Sequence, residues 1–557
     1  MRSPFINIGF KDFSQKLKSW QFSSSLFQGN SLLGGLSFVT KVKLGAIALP
    51  LIVLLVEAVL RYVALASNVF DFGLFLNNHV NVLYAYHLGL SGHVQWFLFP
   101  FASVYNTLPP HEAPFLLITV QWLILASSVV LAWCYLGFIP GFALSLYYPL
   151  WVVGLFDFHF DCLVILILLV FFILCDRGRF CYAAATSMLL VFVKEPFALQ
   201  AAFCGLYLFL LAFRLGNRLS RLQLVSAGAL LVLWGASWFY VYIHWVLPYF
   251  GGVESVPIAS EAFSWLGSNL LEIFWNMLLK SDIILLDIID TPGKVRYLLM
   301  VFGLLAFIPL LSPSALIVAA PVLIISMASH LSNYYDYATH YTAGLIVPVI
   351  VAFRDGFAAS RAKWSAVFPT QGPLYAITLV ILLGGHWAFA SSPISRLFWS
   401  DKVWSYSWRA YVPTQREETM KSAMLEFIPA DSGISVSSQN TVNWGHLAHR
   451  KVYLPFPLGV ILPHKVIDFS NRDLAGLWQF VRTGYKSEVI THDTYADYVV
   501  LDFKRPWFIL DSGCDWLYGA CSNEKKAAEF LNSVASALQR YDVIYSFDGF
   551  MILRRRL

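Results

Sequence analysis

The sequence predicts a polytopic α-helical membrane protein of about eleven transmembrane helices, followed by a mixed α/β soluble domain. Two observations carry that prediction. Of the 557 residues, 58% are hydrophobic and only 13% charged, with a mean hydropathy of +0.64, whereas soluble chains carry about 25% charged residues. The apolar residues also gather into runs long enough to cross a hydrocarbon core of about 30 Å, which takes roughly 17–25 helical residues.

Those runs lie near 44–66, 113–136, 139–156, 160–175, 180–195, 197–213, 222–248, 297–311, 314–330, 341–356 and 372–391. Residues 1–43 are polar and basic and lack a short apolar core followed by a small-residue cleavage site, so they read as a cytoplasmic segment rather than a removable leader. Orientation follows from the positions of Lys and Arg. With the N-terminus inside, cytoplasmic segments hold fourteen of them: six between Arg2 and Lys43, then Arg177, Arg179, Arg214, Arg218, Arg221, Arg354, Arg361 and Lys363. Outer connections before the tail hold five, namely Arg61, Lys194, Lys280, Lys294 and Arg296. The helical domain is thus expected over 44–391 in the cell (inner) membrane, and an odd number of spans places 392–557 on the periplasmic or extracellular side.

Two outer connections are long, 67–112 and 249–296, and their aromatic-rich stretches 97–105 and 263–279 suit the membrane interface better than its interior. In the tail, 433–437, 451–454, 498–503 and the hairpin-like 541–555 read as strands, and 524–540 has helical spacing. Cys514 and Cys521 lie close together there, as a disulfide in an oxidising compartment would require. The net charge of +5 shows no basic cluster interleaved with aromatics outside the cytoplasmic loops, which gives nucleic acid no support as a partner.

Ionisable residues at membrane depth collect at the outer ends of the spans: Asp71, His93, Asp157, His159, Asp161, Lys194, Glu195 and His340, the last beside Tyr341. Charge near the hydrocarbon boundary is costly, faces protein or water, and often marks function. Blander readings stand beside that one. A lone His at a helix end can be an interfacial hydrogen-bonding group, and Lys194 with Glu195 can be a snorkelling ion pair. Asp157 and Asp161 would share one face of a helix, whereas Asp157 and His159 would share a side of an extended turn. Either arrangement could hold Mg or Mn through the carboxylates and His159.

The order Phe70-Asp71-Phe72-Gly73-Leu74-Phe75, Gly92-His93, Asp157-Phe158-His159, Val193-Lys194-Glu195, Leu311-Ser312-Pro313 and His340-Tyr341 resembles the prokaryotic membrane proteins grouped as domain of unknown function 2079. The tail segments Ile428-Pro429, 449–453 and 496–502 extend the resemblance. That family in turn resembles the GT-C membrane glycosyltransferases, which use polyprenyl-phosphate sugars and carry a catalytic acid in the first outer loop. The resemblance implies Asp71 as the base, with Lys194, His340 and, more weakly, Arg296 facing the leaving phosphate. Asp157, His159 and Glu195 would then position sugar hydroxyls, orient the cations or hold a metal, while His93 and Tyr341 complete the binding residues. Departures include Leu76-Asn77-Asn78 where a second acid is expected and Pro196 after Glu195. Two rival expectations remain, a transporter or flippase of a lipid-linked substrate and a non-catalytic scaffold.

Overall fold

A computed structural model describes residues 37–67, 72, 95–97, 100–101, 108, 112–214, 218–246, 249, 262–335, 339–364, 372–400, 407–429, 434–439, 452–457, 459–460, 464–467, 482, 491–504 and 524–556. Asp71, His93, Cys514 and Cys521 lie outside the described residues. The chain divides into two units, Met1–Ala48 and Leu49–Leu557. The contacts below belong to the second.

The apolar runs fold as helices: α1 (Phe38–Val63), α2 (Ala113–Leu136), α3 (Phe138–Leu146), α4 (Tyr148–Leu155), α5 (Cys162–Asp176), α6 (Phe180–Ser187), α7 (Glu195–Arg214), α8 (Arg218–Val241), α9 (Leu270–Leu279), α10 (Ser281–Asp290), α11 (Pro292–Phe302), α12 (Leu316–Ala328), α13 (Ala343–Trp364) and α14 (Gly372–Phe389). Among the described residues five helices are long and apolar enough to cross a bilayer alone: α1, α2, α7, α8 with its continuation to Val246, and the stretch His340–Arg361 around α13. The pair α3 and α4, bent by 50°, makes a sixth if taken as one span. The other apolar helices, including α5 with 15 residues, are shorter.

The interruptions have local causes. Pro149, in the first turn of α4, has no N–H to offer the carbonyl four residues earlier, and the Trp151 indole donates to that Ser145 carbonyl at 2.8 Å. The run expected over 297–311 is helical only to Phe302. Ala306 and Phe307 follow in the left-handed region at φ 55° and 56°, and Pro309 and Pro313 begin short 3-10 turns. The run expected over 180–195 likewise changes from α6 to a 3-10 turn at Met188–Phe192.

Helices α7 and α8 pack as an antiparallel pair through small residues. A side chain at Gly205 would come within 2.5 Å of the Gly228 carbonyl, and one at Gly235 would collide with the Ala198 carbonyl and the Ala202 amide. Small residues let helix backbones approach closely where lipid supplies no hydrophobic drive between helices. Gln200, buried on α7, donates to the carbonyls of Val318 at 3.1 Å and Gly344 at 2.6 Å, tying α7 to α12 and α13.

The tail holds a five-stranded sheet in the order β2-β1-β5-β7-β6, with β1 (Ser435–Ser438), β2 (Val452–Pro455), β5 (Tyr498–Asp502), β6 (Tyr541–Phe547) and β7 (Phe550–Arg555) close to the expected strands. A separate antiparallel pair joins β3 (His464–Ile467) to β4 (Thr491–Thr494). Strands β2, β1 and β5 run parallel, whereas β7 is antiparallel to both neighbours. Asp548 and Gly549 close the β6–β7 hairpin at φ 48° and 83°, the two-residue turn that Asp-Gly favours. Helix α15 (Gln415–Phe427) precedes the sheet strands, and α16 (Glu524–Arg540) lies between β5 and β6. Val534 and Ala537 of α16 join Val499, Leu501 and Leu553 in a common core. From α15, Arg416 holds the buried Asp502 carboxylate through bonds of 2.9 and 2.7 Å.

Gly235→Val should force α7 and α8 apart, because backbone atoms cannot yield as a flexible side chain can. Overpacking of this kind costs about 1–3 kcal/mol or more. The check is thermal unfolding of the detergent-solubilised chain, where an unchanged midpoint would contradict the close packing.

Candidate functional site

The site begins with one amide in an apolar helix. Gln121 on α2 is buried, and its Nε2 donates to the carbonyls of Val153 (3.0 Å), Gly154 (3.3 Å) and Asp157 (2.8 Å). Its Oε1 accepts from the His159 amide at 2.8 Å. The side chain therefore fixes the turn between α4 and α5, in which Asp157 adopts a left-handed φ of 74°. That conformation is uncommon for a residue with a Cβ and persists where its surroundings enforce it.

The turn sends its two aspartates to different partners. Asp157 Oδ1 lies 3.8 Å from Arg61 Nε, at the end of α1. Asp161 Oδ2 lies 3.9 Å from Lys194 Nζ and 3.5 Å from His340 Nε2. Of the two arrangements the sequence left open, the shared helix face does not form, because a turn separates the pair before α5 begins at Cys162. All five of these side chains are buried.

Aromatic rings enclose the Asp161 side. The His159 and His340 rings stack at 3.7 Å between centroids, Phe156 packs on His340 at 5.1 Å, and Tyr341 stacks on Tyr334 at 4.9 Å. Lys194 Nζ sits 5.2 Å over the Tyr341 ring, within reach of a cation–π attraction. Burial pushes the Tyr334 phenol above its ordinary range, with Tyr341 and Glu195 acting in the same direction and Lys194 against them. Glu195, the first residue of α7, thus belongs to the same neighbourhood. Arg296 is half-buried on α11, two residues from Lys294, whose ammonium bonds the Asp287 carboxylate at 2.5 Å and the Met327 carbonyl at 2.6 Å.

The connection between α1 and α2 also reaches the turn. Phe101 packs on Phe158 at 5.9 Å and on Phe160 at 5.8 Å. Phe72 is buried and lines a cavity with Arg61, Gln121 and Asp157. Its water-accessible core is ≈ 10 Å³, room for about one water molecule. Gln95 is 2% exposed, and neither polar atom of its amide has a hydrogen-bond partner.

Among the described residues no three His, Cys, Asp or Glu side chains converge as metal ligands. Asp157 and Asp161 turn apart, and face-to-face stacking of His159 and His340 keeps their ring nitrogens from converging on one ion. The residues present therefore do not fit the Mg or Mn site that their spacing suggested.

Lys194, His340, Asp161, His159, Glu195 and Tyr341 are thus brought together, with Asp157 on the reverse of the same turn. Sequence reasoning missed Gln121, Gln200 and the role of Arg61. An amide inside an otherwise apolar helix was the available signal.

The motifs that make up the turn, the α7 entry and the α13 entry all fall within residues 61–475, which match the family model for predicted membrane protein DUF2079. The chain belongs to this family. The DUF2079 match begins at Arg61 and ends within the tail, so the tail segment 496–502 lies beyond it. No curated protein matches the chain.

Gln121→Leu in this DUF2079 protein should keep the helix apolar but leave the turn carbonyls and the His159 amide without their partner. Each buried polar group so stranded costs about 1–3 kcal/mol. A drop of at least about 2 kcal/mol in unfolding free energy is expected by thermal or denaturant titration; a wild-type value would show that Gln121 does not hold the turn.

Proposed function

We propose that this protein transfers a sugar with inversion, from a polyprenyl-phosphate donor to a lipid, glycan or protein acceptor at the outer face of the membrane. The observation that carries the reading is the convergence of Lys194 and His340 on one buried oxygen, Asp161 Oδ2. An ammonium and an imidazole aimed at one point can serve a leaving phosphate as its charge develops. At 3.9 and 3.5 Å both contacts are longer than charge-assisted hydrogen bonds of about 2.7–2.9 Å, so Asp161 orients the donors without consuming them.

Asp71 is the base in this reading. It removes the acceptor hydroxyl's proton as the oxygen attacks the anomeric carbon and the bond to phosphate breaks. Phe72, its neighbour in sequence, is buried beside Asp157 and Arg61, which supports bringing the first outer loop to the site. The rings of Phe156, Tyr334 and Tyr341 offer apolar faces to a sugar. The orphaned Gln95 amide is a further group for its hydroxyls. Asp157, His159 and Glu195 hold these groups in register, and Arg296 remains the weaker candidate for the phosphate.

The proposed setting is the cell (inner) membrane, with about eleven spans over 44–391, the N-terminus cytoplasmic and the α/β domain of 392–557 outside. A reporter fused after Leu557 tests this, since activity only outside the cytoplasm is expected and a cytoplasmic signal would remove the basis for an outer-face site.

For the chemistry, Asp71→Asn should preserve folding and donor binding while lowering turnover about 10²–10⁴-fold. Lys194→Ala should weaken binding of the lipid phosphate, measured with a radiolabelled donor. Near wild-type transfer by Asp71→Asn would defeat that assignment. Movement of a lipid-linked sugar across the bilayer without transfer would favour a flippase.

A further inference from the structure

Glu57 stands on α1, one turn before Arg61. It is 3% exposed, and neither of its carboxyl oxygens has a hydrogen-bond partner. Among the described residues two groups bear on it. Arg61 lies on its own helix and pairs with Asp157 at 3.8 Å. Tyr411, buried and contributed by the chain after α14, is within electrostatic reach of both Glu57 and Arg61.

A carboxylate stripped of water and of hydrogen-bond donors is unfavourable enough that such groups take up a proton instead. The charge count points the same way. Glu57 stands four residues before Arg61 on α1, and with Asp157 on that guanidinium the three side chains are neutral together only when one carboxyl is protonated. Asp157 has the guanidinium; Glu57 has no donor.

We infer that Glu57 is a proton-binding site in the first span, and that its proton decides whether Arg61 holds Asp157. With Glu57 protonated, the arrangement is the one seen, Arg61 on Asp157. When the proton leaves, the new carboxylate lies four residues before Arg61, the spacing and order at which an acid and a base on one helix attract. The guanidinium is drawn toward Glu57, and Asp157 loses its contact with Arg61 in the turn that Gln121 fixes. The ligand of this site is a proton, and the inference does not depend on sugar transfer.

The test uses the full chain in lipid nanodiscs. A hydrophobic carbodiimide reacts with protonated carboxyl groups in apolar surroundings. Peptide mass spectrometry should find its adduct on Glu57 at neutral pH, declining as pH rises. Arg61→Gln removes the cation that favours ionisation, so the adduct should persist to higher pH. Infrared difference spectra should contain the carbonyl stretch of a protonated carboxyl that disappears in Glu57→Gln. Because Gln mimics the neutral acid, that variant should unfold at the wild-type temperature. An absent adduct at every pH, or an infrared spectrum unchanged by Glu57→Gln, would overturn the proton site. An adduct whose pH dependence is the same with and without Arg61 would overturn the exchange between the two acids. Should Glu57→Gln fail to fold, Glu57 is ionised and paired, and the inference fails.

Discussion

The amide of Gln121 decides where the charged side chains of this protein point. A buried turn between two apolar helices must satisfy its backbone without bulk water, and Gln121 takes three carbonyls and one N–H of residues 153–159 at once. Held in that way, the turn tolerates a left-handed Asp157, a conformation that costs about 1–3 kcal/mol. With Asp157 so placed, its carboxylate meets Arg61 on α1 while Asp161, four residues on, meets Lys194 and His340. One amide on α2 thereby divides the charged cluster into two halves with separate basic partners.

A second amide does the corresponding work among the later helices. Lys194 immediately precedes α7, and His340 precedes α13 by three residues. Gln200 on α7 donates to Gly344 near the start of α13, and a side chain at Gly344 would come within 2.7 Å of the Gln200 Oε1. The close approach that Gly344 permits therefore sets the distance between the two helix entries. The joint grip of Lys194 and His340 on Asp161 follows from packing, before any charge is considered.

The apolar helices were legible because apolarity is written in composition, and the hairpin 541–555 because Asp548-Gly549 is a local turn signal. The breaks were not legible. Pro50, Pro321 and Pro348 lie inside helices, whereas Pro149, Pro309 and Pro313 lie where helices bend or give way to 3-10 turns. The same residue type has either outcome, so its presence in an apolar run does not by itself mark a break. In the site, Lys194, Glu195, His340 and the Asp157–Asp161 segment stood out as charges at membrane depth. Their pairing did not, since it depends on a turn whose geometry is set 36 residues away in sequence. Gln121 and Gln200 carry no charge, and the functional reading of the sequence followed charge.

The link between the helices and the tail runs through the same elements. At the end of α14, His386 bonds the Leu146 carbonyl at 2.9 Å through Nδ1 and Ser392 at 2.7 Å through Nε2, and its ring packs on Trp151. The chain leaving the last helix is thereby fastened to the bend between α3 and α4, just before the turn that carries Asp157. Farther on, Tyr411 packs on Phe398 at 5.8 Å and comes within electrostatic reach of Glu57 and Arg61. Three residues later Thr414 caps α15, whose Arg416 grips Asp502 at the end of β5. Displacement of Arg61 would thus be felt on one side by the Asp157 turn and on the other by the segment that leads into the sheet. Tyr411 is thus the point at which the segment leading into the sheet meets the charged cluster.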